Sequence, residues 1–396
     1  MIIKNIESLK IDLTKVAFWG ILVQIIATQG ILSFYVFNLI GLWEVKKFLH
    51  SLGISMVLMP YVILLINKEK TKVSFETFLL FSYMLVQYLF LFLKGEFSLI
   101  SFSYSFREVM LLMLLLEVYR IFKFTTYQFE IIAKVVLGLA FLNVIFVMLN
   151  FYLGSETYMK FLTGRFYWGQ DPLLKFKTSA FLGFGLRSPG LIGESAALGY
   201  FGAFSFLIVA KSKLKIFSWI PLTLVLLSLT RSAYIIIVVY FLFVIFSKKK
   251  NIKLALYFSP LLVIFVIGMF KLGLFDVVSL IMRLSLWSSK VNLDSSFLFG
   301  GNLNNVGSAA PQGAGFLAIL DSYWLLLYHG LGALGIVLVL YYFLKRIWYL
   351  KSNMFFLIGL IIAGLFVTFT QSIVFLVFFP LLGVHNWWGN NSTHDG

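Results

Sequence analysis

The chain has 396 residues, of which 61% are hydrophobic and only 12% are charged, and its mean hydropathy is +0.96. A soluble domain cannot bury that much apolar surface, so the composition excludes a soluble enzyme and predicts a polytopic membrane protein. The formal net charge of +16 comes from short clusters of cations between apolar stretches, a pattern that orients membrane helices rather than binding nucleic acid. The absence of cysteine excludes disulfides, thiolate metal sites and a cysteine nucleophile.

Apolar stretches of membrane-spanning length recur about twelve times along the chain. Each is continuously apolar rather than alternating, which favours helices over strands. The predicted spans lie near residues 16–42, 48–67, 74–93, 104–121, 130–153, 191–210, 216–230, 232–247, 254–275, 319–343, 354–370 and 372–384. The predicted fold class is therefore an all-α bundle of about 12 transmembrane helices (11 to 13), forming one domain over residues 1–396.

Lysines and arginines in the connections set the predicted orientation. With the N-terminus in the cytoplasm, every short cation cluster but one falls on the inner side, the exception being Lys46 and Lys47. Two long connections then lie on the outer side, at residues 154–190 and 276–318, and the second is predicted to contain short amphipathic helices. Long loops held over a rigid bundle commonly carry function.

The first outer loop ends in the motif Arg187-Ser-Pro-Gly-Leu-Ile-Gly-Glu194, directly before a predicted span. An arginine beside a helix N-terminus makes a ready anion site, because the guanidinium and the free amide hydrogens point at the same ligand. The alternative for Arg187 is an interfacial side chain that reaches towards lipid headgroups. Glu194 is a candidate acid or base, and the alternative is a first-turn residue favoured by the helix dipole.

Arg231 lies between two apolar stretches with almost no loop to solvate it. An arginine at membrane depth costs about 2.5–3.5 kcal/mol on insertion scales, so such a residue usually binds a ligand in a cavity or pairs with a carboxylate. The candidate carboxylates for a structural pair are Glu108 and Glu194. Two further arginines are weaker candidates for binding a polyanionic ligand on the outer side. They are Arg283, just past the ninth predicted span, and Arg165, in the first outer loop.

Asp321 begins the tenth predicted span, in the motif Asp321-Ser-Tyr-Trp. A carboxylate at the lip of an apolar bundle can act as a general base on a sugar hydroxyl, and the alternative is a helix N-cap. The four histidines show no metal-ligand spacing, and the sequence contains no Walker or dinucleotide loop. Neither a metal nor another cofactor is predicted.

In their order and spacing, these motifs resemble the bacterial O-antigen polymerase and ligase superfamily, over roughly residues 180–345. The resemblance rests on Arg187-Ser-Pro-Gly-Leu-Ile-Gly-Glu194, Leu227-Ser-Leu-Thr-Arg231-Ser, Arg283 followed by Leu298-Phe-Gly-Gly, Asp321-Ser-Tyr-Trp and the glycine-rich span that follows. Ligases of this superfamily typically carry a histidine near the position of Asp321, so the aspartate favours the repeat-unit polymerases. The resemblance also implies a GT-C-like transmembrane bundle.

The function implied is that of a metal-independent, inverting glycosyltransferase of polysaccharide biosynthesis. It would polymerise undecaprenyl-pyrophosphate-linked oligosaccharide repeat units into O-antigen, as in lipopolysaccharide, or a related surface polysaccharide. Arg187, Arg231 and Arg283 would bind the pyrophosphate and stabilise its developing charge, with Arg165 a weaker candidate. Asp321, or otherwise Glu194, would take the proton of the acceptor hydroxyl.

The implied location is the bacterial plasma (inner) membrane, with the active site facing the periplasm or outside. The implied partners are the lipid-linked oligosaccharide donor and acceptor, the bilayer and a chain-length regulator protein. Two other functions stay open. A ligase would transfer the finished glycan to a lipid core, and a lipid-linked oligosaccharide flippase would need cations from both halves of the bundle along an internal cavity.

Overall fold

A computed structural model of the chain describes residues 2–30, 45–66, 73–122, 124–154, 157–158, 177–181, 184–186, 188–228, 230–246, 285, 288, 296–301, 303, 322–348, 361–362, 364 and 373–384. These residues are mostly helical. Their helices are α1 (Ile2–Ala27), α2 (Val45–Ile66), α3 (Phe75–Leu93), α4 (Leu99–Phe106), α5 (Leu112–Ile121), α6 (Thr126–Leu153), α7 (Ser195–Lys211), α8 (Trp219–Ser228), α9 (Arg231–Phe246), α10 (Ser296–Phe299), α11 (Tyr323–Trp348) and α12 (Ile373–Val384). A π-helical turn, Arg107–Leu111, joins α4 to α5, and a 3-10 turn, Lys215–Phe217, precedes α8.

Within the described residues, three helical segments are long and apolar enough to cross a membrane: α3, α6 and Tyr323–Lys345 of α11. Shorter apolar helical segments lie at Ser51–Ile66, Ser195–Lys211, Lys215–Ser228 and Ser232–Leu242. The chain is thus a mostly helical membrane protein, as its composition predicts. The number of spans and the GT-C-like arrangement stay predictions, since 254–275 and most of 354–370 lie outside the described residues.

Two short antiparallel strands, β1 (Lys177–Phe181) and β2 (Phe184–Leu186), form a hairpin in the first predicted outer loop. Lys177 pairs with Leu186 and Phe181 with Phe184, with a register irregularity between the two pairs. The hairpin lies within the connection 154–190 that was predicted as a loop, and the described residues remain mostly helical. The connection Leu182-Gly183 has the length and the glycine typical of a tight hairpin.

The chain divides into two compact units. The first comprises residues 1–69 and 122–276, and the second comprises 70–121 and 277–396. In the first unit α1 packs on α2, while α7 packs on α6, α8 and α9. In the second unit α11 packs on α3 and α10, and α12 packs on α5. The prediction of one domain over residues 1–396 stays a prediction.

Polar caps decide where two of the long membrane helices begin. The side chain of Thr125 accepts a hydrogen bond from the backbone N–H of Gln128, and the Gln128 side chain accepts one from the backbone N–H of Thr125. This capping box starts α6 at Thr126, four residues before the apolar stretch that the sequence analysis marked. Ser74 caps α3 by accepting from the N–H of Thr77 at 3.2 Å.

Candidate functional site

Of the six predicted site residues, the structure describes Glu194 and the backbone of Arg231. The other four lie outside the described residues: Arg165, Arg187, Arg283 and Asp321. Two chain neighbours, Ser188 after Arg187 and Ser322 after Asp321, are described and buried. Glu194, the start of α9 and Ser188 belong to the first unit, and Ser322 belongs to the second, so the two regions are described separately.

Residues 188–194, here named the anchored turn, lead from Arg187 into α7. The backbone N–H of Gly193 donates to the carbonyl of Pro189 at 3.0 Å, which closes the turn. Gly190 and Gly193 have φ values of +52° and +89°, a region that glycine enters without the steric cost of a side chain. The motif Pro-Gly-Leu-Ile-Gly thus specifies a tight, buried turn rather than an open loop.

Asn143, in the middle of α6, holds the anchored turn through its side-chain amide. Its oxygen accepts a hydrogen bond from the N–H of Leu191 at 2.9 Å, and its nitrogen donates to the side-chain oxygen of Gln29 at 2.7 Å. Gln29 in turn donates to the hydroxyl of Thr28 at 3.1 Å, just beyond the end of α1. Asn143 and Gln29 are fully buried, so these bonds satisfy polar groups that water does not reach.

Tyr158 makes a second attachment to the same turn. Its hydroxyl donates to the carbonyl of Gly190 at 3.0 Å, and the side chain is buried. Burial raises the pKa of Tyr158, which keeps the phenol protonated and able to donate. The turn is therefore fixed by the Asn143 side chain at Leu191 and by Tyr158 at Gly190.

Gly190 is also required by packing. A Cβ atom at this position would lie 2.7 Å from the side-chain oxygen of Asn143 and 2.9 Å from a methyl carbon of Leu198. No larger residue fits without moving the atom that binds Leu191. The backbone conformation and the limited space at position 190 therefore both require glycine.

The starts of α7 and α9 are joined directly. The hydroxyl of Thr230 donates to the carbonyl of Ser195 at 3.0 Å, and the hydroxyls of Tyr200 and Ser232 lie 2.8 Å apart. Close approach depends on Gly199, since a Cβ there would lie 2.7 Å from a side-chain carbon of Thr230. Both helix N-termini therefore lie at one end of the first unit, where their dipoles favour an anion.

Glu194 occupies the N-cap position of α7 in an extended backbone conformation, and its side chain is exposed. The carboxylate does not cap the helix through a hydrogen bond to the first turn. Glu194 directly precedes Ser195, whose carbonyl accepts the hydrogen bond from Thr230. Thr230 in turn directly precedes Arg231 in the chain. The backbone thus brings Glu194 and Arg231 to the same end of two neighbouring helices.

Ser322, rather than Asp321, takes the capping position of α11. Its backbone carbonyl accepts from Leu326 at 3.1 Å, and its hydroxyl lies 3.5 Å from the N–H of Leu325. The Ser322 hydroxyl also donates to the carbonyl of Gly364 at 3.1 Å. The N-cap role that the sequence also allowed for Asp321 therefore belongs to its neighbour, and Asp321 directly precedes an anchored helix start.

The glycines of the second unit form a backbone contact within the predicted membrane region. α11 is broken at Gly332, which has φ +70° and ψ −173°. The N–H of Gly301 donates to the carbonyl of Gly330 at 3.3 Å, and the Tyr83 hydroxyl donates to the carbonyl of Leu331 at 2.8 Å. These bonds satisfy carbonyls near the break, as a broken membrane helix requires.

The contact with the break in α11 also fixes the turn that follows α10. The Phe299 carbonyl accepts from the Gln87 side chain at 2.8 Å, and the oxygen of the Tyr83 hydroxyl lies 3.1 Å from it. A Cβ at Gly300 would lie 2.5 Å from the backbone nitrogen of Gly332. The sequence analysis singled out Phe299-Gly-Gly as part of the family resemblance, and here these glycines allow a loop to lie directly on α11.

Sequence reasoning missed several polar residues of these regions. Asn143, Gln29 and Tyr158 support the anchored turn, and an asparagine within a predicted span was a signal that could have identified the first. Glu108 was considered as a partner for Arg231, whose side chain lies outside the described residues, and the proximity of its carboxylate to the guanidinium of Arg107, at 3.6 Å, was not predicted.

Among the described residues, no group of three or more His, Cys, Asp or Glu side chains is arranged to hold a metal ion. No family model matches the sequence, and comparisons with curated proteins and with solved structures found no match either.

Proposed function

We propose that the chain is a glycosyltransferase that polymerises undecaprenyl-pyrophosphate-linked repeat units into O-antigen or a related surface polysaccharide. The observation that supports this most is the 3.0 Å hydrogen bond from Thr230 to the Ser195 carbonyl. It holds the start of α9, which Arg231 begins, against the start of α7, which Glu194 precedes. A cation and a carboxylate thereby belong to one end of one compact unit, beside the turn that follows Arg187.

Two helix N-termini and an arginine suit a pyrophosphate. Free N–H groups and the positive ends of the α7 and α9 dipoles favour an anion at this end of the unit. A guanidinium adds a planar pair of donors that matches phosphate oxygens better than an ammonium does. The proposal assigns Arg231 and Arg187 to this anion, with Arg283 and Arg165 as further ligands.

The reaction is a single inverting displacement. The acceptor hydroxyl oxygen attacks the anomeric carbon of the donor glycan, and the bond from that carbon to the pyrophosphate oxygen breaks. The hydroxyl proton passes to Asp321 or Glu194 as general base. Arginines stabilise the negative charge on the departing undecaprenyl pyrophosphate, which already carries the activation that the reaction needs.

Its place in the cell follows from this substrate. The repeat units are carried by a polyprenyl lipid, so the enzyme works in the bacterial plasma membrane with its arginines facing the outer side. Donor and acceptor enter from the bilayer, and a chain-length regulator protein is the expected partner.

Charge-specific variants test the proposal. Arg231→Lys keeps the charge but loses the planar fork, Arg231→Ala loses both, and Glu194→Gln keeps the shape of the carboxylate. We expect Arg231→Ala to lower polymer formation about 10²–10³-fold, as loss of a preorganised oxyanion donor does in other enzymes. Arg346→Ala, on the predicted inner side, is the matched control and should retain polymer formation.

The comparison of these variants has clear outcomes. Equal polymer formation by Arg231→Ala and Arg346→Ala, in protein shown to be folded, would contradict the assignment of Arg231. Transfer of glycan to a lipid core without chain growth would indicate the ligase instead. Movement of lipid-linked oligosaccharide across vesicles without any new glycosidic bond would indicate the flippase.

A further inference from the structure

The π-helical turn between α4 and α5 carries an ion pair that the proposed mechanism does not use. The guanidinium of Arg107 lies 3.6 Å from the carboxylate of Glu108. The side chain of Glu108 is 1% exposed, whereas that of Arg107 is 33% exposed. A buried carboxylate therefore lies beside an arginine that a ligand can reach from outside the unit.

The backbone of this turn is unusual for a membrane helix. Five residues, Arg107–Leu111, form a π-helical turn between two regular α-helical segments. π-Turns inside α-helices are rare and occur frequently at functional sites. A carboxylate buried among apolar side chains is costly unless a cation compensates it, so Glu108 restricts where the Arg107 guanidinium can lie.

Part of the second predicted outer loop and the start of α11 lie near the turn. The hydroxyl of Ser105 donates to the carbonyl of Leu303 at 2.8 Å, which fastens part of the second predicted outer loop beside the turn. Leu303 is buried there. Tyr88 and Tyr323 lie within electrostatic reach of Glu108, and Tyr323 begins α11 two residues after Asp321.

The predicted topology assigns this turn to the outer part of its span. Arg120, at the other end of the span 104–121, belongs to a predicted inner cation cluster, so Arg107 lies towards the outer end. An inward-facing arginine would serve orientation by the positive-inside rule, but an outer one needs another reason. Arg107 is thus a fifth outer-side arginine, and the sequence analysis did not identify it.

We propose that Arg107 is a further phosphate-binding residue and that Glu108 is the positioning residue that holds its guanidinium. The ligand chemistry is a lipid-borne phosphate, and the pyrophosphate of the lipid-linked substrate is the occupant that the neighbouring outer loop and α11 favour. This inference rests on the proposed function, because its ligand is the pyrophosphate of a lipid-linked substrate of that reaction.

Direct binding to purified protein tests the inference without requiring turnover. The probes are undecaprenyl pyrophosphate and, separately, phosphatidylglycerol in nanodiscs. We expect Arg107→Gln to weaken binding of undecaprenyl pyrophosphate at least tenfold, with phosphatidylglycerol binding unchanged. Lys345→Gln removes a cation that pairs with Glu76 elsewhere in the unit, and as the control it should bind like the wild type.

Two further variants keep the result interpretable if Arg107→Gln fails to fold. Arg107→Lys retains the charge beside Glu108 but loses the bidentate fork, so binding should fall by an intermediate amount. Glu108→Gln should raise KM for the lipid-linked unit and leave kcat close to the wild-type value, since it only frees the arginine to move. A purely structural role of Glu108 would instead lower kcat as well as change KM, so the two effects would not separate.

Each outcome decides the inference. Equal undecaprenyl pyrophosphate binding by wild type and folded Arg107→Lys or Arg107→Gln would overturn it while leaving the proposed function intact. A loss confined to phosphatidylglycerol would make this a headgroup site and overturn the substrate assignment. Absence of binding by the wild type would overturn both this inference and the proposed function.

Discussion

The backbone N–H of Leu191 donates a hydrogen bond of 2.9 Å to the side-chain oxygen of Asn143, a residue 48 positions earlier in the chain. This bond fixes the anchored turn to the middle of α6. Glu194 ends this turn, so the backbone that leads into Glu194 is held by a buried side chain of another helix.

Replacing Asn143 with leucine should loosen the anchored turn. The N–H of Leu191 would lose its buried acceptor, and leaving such a group unsatisfied costs about 1–3 kcal/mol. Hydrogen exchange at residues 190–193 should become faster, and polymer formation should fall. Asn150→Leu, at a buried position two turns further along the same helix, is the control and should leave exchange at 190–193 unchanged.

A comparison of Gly190→Ala with Gly154→Ala separates the cost of backbone strain from the cost of a steric clash at the new Cβ atom. Both glycines have positive φ, +52° and +76°, which residues with a side chain rarely adopt, so each alanine variant is strained by its backbone conformation. Only at Gly190 does the new Cβ meet other atoms, since a Cβ at Gly154 has nothing within 4 Å among the described residues. We expect a lower melting temperature and loss of activity for Gly190→Ala, and only a modest drop in melting temperature for Gly154→Ala. Equal effects would show that the turn tolerates displacement.

Tyr158→Phe should weaken the turn at neutral pH by about 0.5–1.5 kcal/mol, the net contribution of one hydrogen bond. The pKa of Tyr158 is raised above its ordinary value of 10.0 by burial, so the folded state favours the protonated phenol. Its contribution to stability is therefore complete below pH 10 and is lost as the pH rises towards the folded-state value. Unfolding measured at pH 8 and at about pH 10.5 should show a smaller pH effect for Tyr158→Phe than for the wild type. Identical pH dependence in the two proteins would contradict this role.

Gly300→Ala and Gly301→Ala make a second matched pair, in the other unit. Both glycines have positive φ, but only a Cβ at Gly300 collides, at 2.5 Å from the backbone nitrogen of Gly332. Gly300→Ala should detach the turn from α11 and expose the carbonyl of Phe299 that Gln87 now binds. Faster proteolysis after residue 299 would report this, and Gly301→Ala should remain resistant. Equal resistance of both variants to proteolysis would contradict the requirement for glycine at position 300.

The helical framework follows from local sequence. α3 and α7 begin and end within about four residues of the apolar stretches at 74–93 and 191–210, because span length depends only on local hydropathy. α7 begins late because residues 190–193 form the anchored turn. α1 begins early, at Ile2, since its polar first half also forms helix and carries the Asp12–Lys15 pair.

The site is less predictable than the framework. Arginine and carboxylate chemistry made Arg231 and Glu194 candidates, and the proximity of their backbones depends on the contact between Thr230 and Ser195, which are 35 residues apart. A side-chain contact over that distance has no local signal. The π-helical turn Arg107–Leu111 was not predicted either, although the adjacent charged residues Arg107 and Glu108 interrupt a largely apolar stretch.

The most direct measurement is an assay of purified protein with one synthetic undecaprenyl-pyrophosphate repeat unit and no other protein, read by mass spectrometry. We expect a ladder of lipid-linked glycans spaced by whole repeat units, with release of undecaprenyl pyrophosphate and no need for nucleotide or metal. Folded protein that binds the cognate unit yet leaves it as a monomer would contradict the proposed polymerase activity.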